Sequence, residues 1–304
     1  MTATPSHQKL QPEFYLLVFL VSIGFFMQGL DTTIINTALP SMAESLQENP
    51  LRMHGVVISY VLSVAASIPL SSWLADRFGV RNTFFAAIVI FTLASLGCAF
   101  SNNFNVLIAF RVLQGIGGAL LLPVGRLAML RIIPREQFLS AMSLMSLAGL
   151  MGPLMGPTLG GWLVEFASWH WIFLINLPIG LLGMFVTFKA MPNATEPSVK
   201  KFDLSGFILL VIAMVGMALG IENIASREVS KSFSLALLIT GLLAALIYAY
   251  HAHTHQNALF RSKLFKNKIY AIGVLGNFFA RLGSNAIPFI LPLMLQVAFK
   301  TEPL

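Results

Sequence analysis

The sequence predicts an all-α, polytopic membrane protein, and three observations carry that reading. Only 10% of the 304 residues are charged and 57% are hydrophobic, whereas a soluble chain averages about 25% charged residues. So few polar groups cannot cover a soluble body of this size, which excludes an ordinary cytosolic enzyme, a disordered chain and a disulfide scaffold. The apolar residues fall in long runs, and the basic residues gather in alternate gaps between those runs. A net charge of +7 and a pI near 9.8 therefore read as membrane topology rather than as affinity for nucleic acid. The single Cys98 can close no internal disulfide and can build no thiolate metal site.

A spanning helix needs ~20 mostly apolar residues, because ~30 Å of hydrocarbon is crossed at ~1.5 Å per residue. Nine runs qualify. The first six are Phe14–Leu39, His54–Ala75, Thr83–Phe100, Phe104–Leu127, Leu139–Val164 and Trp171–Ala190. Three more are Leu204–Ile224, Phe233–Tyr250 and Ile269–Ala298. Within hydrocarbon each must be a helix, since backbone polar groups find partners only inside their own segment. The first run is too long for a cleaved signal peptide, and no small-x-small site follows it.

The basic residues orient these spans. Lys9, Arg77, Arg81, Arg131, Arg135, Lys189, Lys200, Lys201, Arg261, Lys263, Lys266 and Lys268 fall on one side. The other side holds Arg52, Arg227, Lys231 and Lys300, partly offset by Glu44, Glu48 and Glu228. The N-terminus is thereby expected in the cytoplasm, and a ninth span would leave the C-terminus outside. Two connections are long, Met191–Phe202 and His251–Lys268; the first carries Pro192, Pro197 and a Lys pair, as a linker would. The expected layout is a six-helix bundle over 1–192, a linker with two inserted helices over 193–257, and a basic loop with the first helix of a second bundle over 258–304.

Ionisable groups inside hydrocarbon are costly and are functional candidates by default. Asp31 lies near the outer end of the first span, with Gln28, Thr32 and Asn36 expected on its face. It is either a solvated helix-end acid or a titratable carboxylate in a transport path. Arg111 lies in the fourth span, with Gln114 and Gly118 on its face, and must meet a cavity or a partner such as Asp31. The neighbouring Gly115, Gly117 and Gly118 follow no strand, so close helix packing accounts for them better than a dinucleotide fingerprint. In the fifth span Gly152, Gly156 and Gly160 recur every four residues as a packing seam, and Pro153 and Pro157 each remove a backbone donor. That segment reads as simple packing or as a bending element for alternating access. The loop Asp76-Arg77-Phe78-Gly79-Val80-Arg81 could latch neighbouring helix ends or be a positive-inside loop with an Asp cap.

Several of these segments resemble signatures of the major facilitator superfamily. They are Asp76-Arg77-x-Gly79-x-Arg81, Arg111-x-x-Gln114-Gly115 and Gly152-x-x-x-Gly156-Pro157-x-x-Gly160-Gly161, the last similar to the family's antiporter motif. The runs Leu30–Pro40 and Trp169–Gly180 look like the first-helix and sixth-helix signatures of its fourteen-span drug:proton antiporter branch. The resemblance covers nearly the whole chain. It departs at Ser72, where the loop motif usually has Gly, and at His170, where the branch often has Arg. Fourteen spans are expected of that branch, so a chain of nine predicts a bundle incomplete at its C-terminus, through a frameshift or premature stop.

The resemblance implies an exporter of small amphipathic or drug-like compounds by proton antiport, in the inner membrane of a bacterium. Asp31, Asn36, Arg111, Gln114 and Arg281 would line the proton or substrate path. Asp76, Arg77, Gly79 and Arg81 would form a gating loop, and Gly152, Gly156, Pro157, Gly160 and Gly161 the antiporter helix. The expected partners are protons, a small-molecule substrate and the lipid bilayer, with no cofactor, no nucleic acid and a monomeric state at full length. Two alternatives stay open: export of an endogenous anionic metabolite or metal chelate, drawn by Arg111 and Arg281, and a non-transporting fragment. An enzyme is not expected, because no catalytic constellation occurs at a membrane face.

Minor features fit this picture. His251, His253 and His255 include an i,i+4 pair that reads as a loop-end polar cluster rather than a metal site. Asn193-Ala194-Thr195 matches a glycosylation acceptor on the expected cytoplasmic side, where it would carry no meaning. Trp162, Trp169 and Trp171 read as interfacial anchors.

Overall fold

The computed structural model describes residues 10–193, 201–226, 230–255, 257–260, 264, 266–281 and 283. Seven of the described helices are long and apolar enough to cross a membrane, and one bent helix pair makes an eighth candidate span. In chain order they begin with α1 (Pro12–Ile34), followed by a 3₁₀ turn (Ile35–Thr37), α2 (Leu39–Ser45), α3 (His54–Ser67) and α4 (Leu70–Phe78). Then come α5 (Val80–Ala99), α6 (Phe104–Ile132) and α7 (Arg135–Phe166). The rest are α8 (Trp171–Leu174), α9 (Asn176–Ala190), α10 (Leu204–Ser226) and α11 (Lys231–Thr254).

The second expected span, His54–Ala75, is not one helix. It breaks at Ile68–Pro69 into α3 and α4, which meet at 56°. Pro69 has no N–H for the carbonyl four residues back, and its ring crowds that turn. The first and sixth spans are also interrupted, by the 3₁₀ turn and at Ile175. By contrast α7 continues as one helix through Pro153 and Pro157, with the Pro153 ring against Gly29 of α1. The ninth expected span is helical over 268–281 and otherwise lies outside the described residues.

Glycine decides how closely these helices meet. The seam at Gly149, Gly152, Gly156 and Gly160 is buried, and α1 lies along it. A Cβ on Gly152 would stand 2.6 Å from the Phe26 carbonyl oxygen and 2.8 Å from the Leu30 nitrogen, so the two backbones touch. Gly161, by contrast, has nothing within 4 Å of where its Cβ would be. On α6, a Cβ at Gly115 would meet Ser63 and the Tyr60 carbonyl of α3, and one at Gly117 would meet Phe91 of α5. These glycines let α6 sit between α3 and α5 at backbone distance. Further along, α10 and α11 pack against each other and α10 touches α3.

Two apolar clusters fill the α1–α9 assembly. One is built on Val21, Met27, Phe84, Phe91, Leu120 and Val124. The other is built on Leu30, Ile34, Cys98, Leu107, Trp169 and Phe173. On α1, α5 and α6 the chain passes from the first cluster to the second around residues 28–31, 92–97 and 108–119. The polar residues discussed next lie at that boundary.

Candidate proton-coupling site

At that boundary α1 supplies Asp31, α6 supplies Arg111 and Gln114, α5 supplies Ser95, and Asn176 opens α9. All five are at most 1% exposed. The Arg111 Nη1 donates to Asp31 Oδ2 at 2.7 Å and to Gln114 Oε1 at 2.8 Å. Its Nε donates to the Val56 carbonyl at 3.1 Å. Gln114 Nε2 donates to the other carboxylate oxygen, Asp31 Oδ1, at 2.8 Å, and reaches Ser95 Oγ at 3.2 Å. Asn176 Nδ2 also donates to Ser95 Oγ, which in turn donates to the Phe173 carbonyl. The guanidinium carbon lies 4.2 Å from the Tyr60 ring centroid, a cation–π contact.

This is a buried ion pair threaded into a hydrogen-bond network over six helices, α1, α3, α5, α6, α8 and α9. A charge in such surroundings persists only when paired and hydrogen-bonded. Both Asp31 oxygens accept charge-assisted or amide hydrogen bonds, while Arg111 Nη2 and Asn176 Oδ1 find no hydrogen-bonding partner among the described residues. The network therefore contains unused polar capacity beside the ion pair.

The structure brings together Asp31, Arg111 and Gln114 but not the other two expected path residues. Asn36 is exposed in the 3₁₀ turn; five residues past Asp31 at ~100° per residue put it ~140° around the helix. Thr32 is likewise exposed and bonds back to the Gln28 carbonyl. Arg281 is exposed on the helical segment 268–281 and so is not part of the buried network. Ser95, Asn176, Tyr60 and Phe173 were not anticipated as members. The available signals were lone polar residues, Ser95 and Asn176, inside apolar stretches. Arg126, within α6, is a further intramembrane cation; it is half-buried, and its guanidinium carbon lies 6.0 Å from the Phe25 ring centroid.

The loop motif forms a separate cluster at the opposite ends of these helices. Asp76 accepts from Arg131 Nη2 at 2.6 Å, tying the end of α4 to the end of α6. Gly79 joins α4 to α5 at φ +86°, a conformation that only glycine adopts freely. The Arg81 guanidinium carbon lies 5.6 Å from the Phe188 ring centroid on α9, whereas Arg77 is exposed. At the departure position, His170 stacks on Trp169 at 3.8 Å, and burial holds its pKa below the usual histidine value.

Comparison with known proteins agrees with this architecture. The chain is 50% identical over 303 residues to MdtD of Salmonella newport (strain SL254), a protein named for multidrug resistance, covering 100% of this chain and 63% of the relative. MdtD of Escherichia coli O6:H1 is 50% identical over 286 residues, covering 94% of this chain and 60% of that protein. The chain thus spans somewhat under two thirds of the length of the curated relatives it matches. Among solved structures, the POT family transporter PepTSo superposes with a TM-score of 0.56 at 17% identity, over 83% of this chain and 56% of that one. The proton:xylose symporter XylE superposes with a TM-score of 0.54 at 15% identity, over 79% of this chain and 53% of that one. At such identities these two likenesses speak for the fold alone. The family model of the major facilitator superfamily matches residues 21–302, and the chain belongs to that superfamily.

Proposed function

We propose that this chain carries the proton-coupling unit of a bacterial inner-membrane exporter of small amphipathic compounds, driven by proton antiport. The N-terminus lies in the cytoplasm, residues 1–192 form the six-helix unit, 193–257 add two inserted helices, and 258–304 begin a second bundle. The observation that carries the reading is the Asp31–Arg111 pair, buried between spans with both partners in segments resembling family signatures. Its likeness to proteins named for multidrug resistance supports the substrate class.

In this mechanism Asp31 holds either a proton or Arg111. Protonation cancels the carboxylate charge and frees Arg111 and Gln114 to rearrange, which permits one orientation of the α1–α7 pair relative to its surroundings. Loss of the proton restores the pair. The Asp76–Arg131 contact holds the loop ends of α4 and α6 in one of those orientations.

A second reading has a specific observation in its favour. Arg126 is a second, half-buried cation on the helix that carries Arg111, and two such cations would favour an anionic metabolite or chelate as cargo. Expression in a bacterial strain stripped of its own drug pumps separates the readings. Drug export appears as reduced susceptibility, lost in Arg111→Ala and partly kept in Arg111→Lys, which retains a charge without the planar fork. Anion export appears instead as lower intracellular metabolite with unchanged drug susceptibility. No change in either, with restoration when the chain is continued by the unmatched part of the Salmonella newport relative, identifies a fragment that does not transport alone.

A further inference from the structure

We propose that Asp203, His251 and His255 form a binding site for a divalent transition-metal ion of the Zn²⁺ class, at the end of the α10–α11 hairpin. Asp203 immediately precedes α10, His251 is in the last turn of α11, and His255 directly follows it. One ligand atom from each of the three lies within 4.8 Å of the others. The sequence had suggested only a loop-end polar cluster of histidines; the fold adds a buried carboxylate from a second helix.

The carboxylate is held as a ligand would be. Asp203 Oδ1 accepts the Gly206 N–H at 2.9 Å and the Ser205 hydroxyl at 3.1 Å. These bonds fix its orientation, and His251 Nε2 stands 2.9 Å from both carboxylate oxygens. The two imidazoles stack with centroids 4.7 Å apart and planes 18° from parallel, and a ring nitrogen of each lies within 4.8 Å of the other. Ligands bonded tetrahedrally at about 2.0–2.1 Å stand about 3.3 Å apart. The His251–Asp203 spacing therefore opens by under about half an ångström to admit an ion. Two imidazoles and one carboxylate suit Zn²⁺ or Co²⁺, not Mg²⁺ or Ca²⁺, which favour all-oxygen shells. A simple Asp203–His251 ion pair explains the first contact but leaves His255 without a role. His255 follows His251 by one helical turn and is exposed, so its ring is free to turn towards the pair.

The test is titration of the whole chain, purified in detergent with a tag that contains no histidine, using ZnCl₂ for affinity and CoCl₂ for visible absorption. The expected result is one ion per chain, with the intense d–d bands of tetrahedral Co²⁺. Replacement His255→Ala removes a ligand at an exposed position and should weaken Zn²⁺ binding by at least about tenfold. Replacement His253→Ala, at another exposed position, should leave it unchanged. Parental affinity in His255→Ala, equal loss in His253→Ala, or no saturable Zn²⁺ binding by the parent would each overturn the assignment.

Discussion

Replacing Asp31 with Asn keeps the shape of the side chain and removes its charge. Arg111 then remains 0% exposed, keeping the Val56 carbonyl, Gln114 Oε1 and the Tyr60 and Phe173 rings as partners but losing its counter-charge. Breaking a buried ion pair from one side costs ~3–5 kcal/mol, because the other charge is left uncompensated. At ~1.4 kcal/mol per tenfold, local opening should become ~10²–10⁴ times more frequent. The chain supplies its own reporter. Cys98 is its one cysteine, is fully buried, and its Sγ lies 3.7 Å from Gln114 Oε1. A thiol reagent reaches it only when this network opens, so the labelling rate tracks the open population while closing is fast. The double replacement Asp31→Leu with Arg111→Met removes both charges and should recover most of the loss. Parental labelling in Asp31→Asn, or a double variant as labile as the single one, would refute the reasoning.

Other perturbations follow from the same geometry. Gly152→Val drives methyls into the Phe26 carbonyl and Leu30 nitrogen and should cost ~1–3 kcal/mol in Cys98 protection; Gly161→Val, with nothing within 4 Å, should match the parent in the same assay. Asp76 and Arg131 are 35% and 18% exposed at their side chains, so Asp76→Asn should lower thermal stability by only ~0.2–1 kcal/mol. A larger loss in that variant would mean the loop contact is structural rather than a gate. Burial pushes the Asp203 pKa up, but hydrogen bonds from Gly206, His251 and Ser205 outweigh it and hold the group below the ordinary carboxylate value. A depressed folded-state pKa means that the stabilisation is complete above the unfolded value, near ~3.9, and is lost as pH falls through the folded one. Stability curves of the parent and Asp203→Asn should therefore converge on acidification, and curves that stay parallel would contradict this.

Much of the architecture was legible because a bilayer allows few solutions. Length and apolarity alone locate helices, and the Gly152/Gly156/Gly160 spacing already marks a face that a second helix can approach. The sequence also pointed to Asp31 as a partner for Arg111, since an unpaired guanidinium in hydrocarbon is prohibitive. It could not show which helices meet. Ser95 and Asn176, 81 residues apart, share a hydrogen bond only because α5 and α9 pack side by side. The break at Pro69 was hidden because hydropathy registers apolarity and not the loss of one backbone donor. Asn36 was misplaced by reading a polar stripe too loosely: a face repeats at three and four residues, not five. Asp203 gave no signal at all, since its neighbours in sequence are not its neighbours at the hairpin end.

Asp31, paired with Arg111, is proposed to couple proton movement to export. Proteoliposomes with an imposed pH gradient test it directly, holding either the 304-residue chain or that chain continued by the unmatched part of the Salmonella newport relative. The account predicts substrate-dependent proton flux in the active form, abolished by Asp31→Asn in protein that still inserts and still binds substrate. Undiminished proton-coupled flux in Asp31→Asn would contradict it.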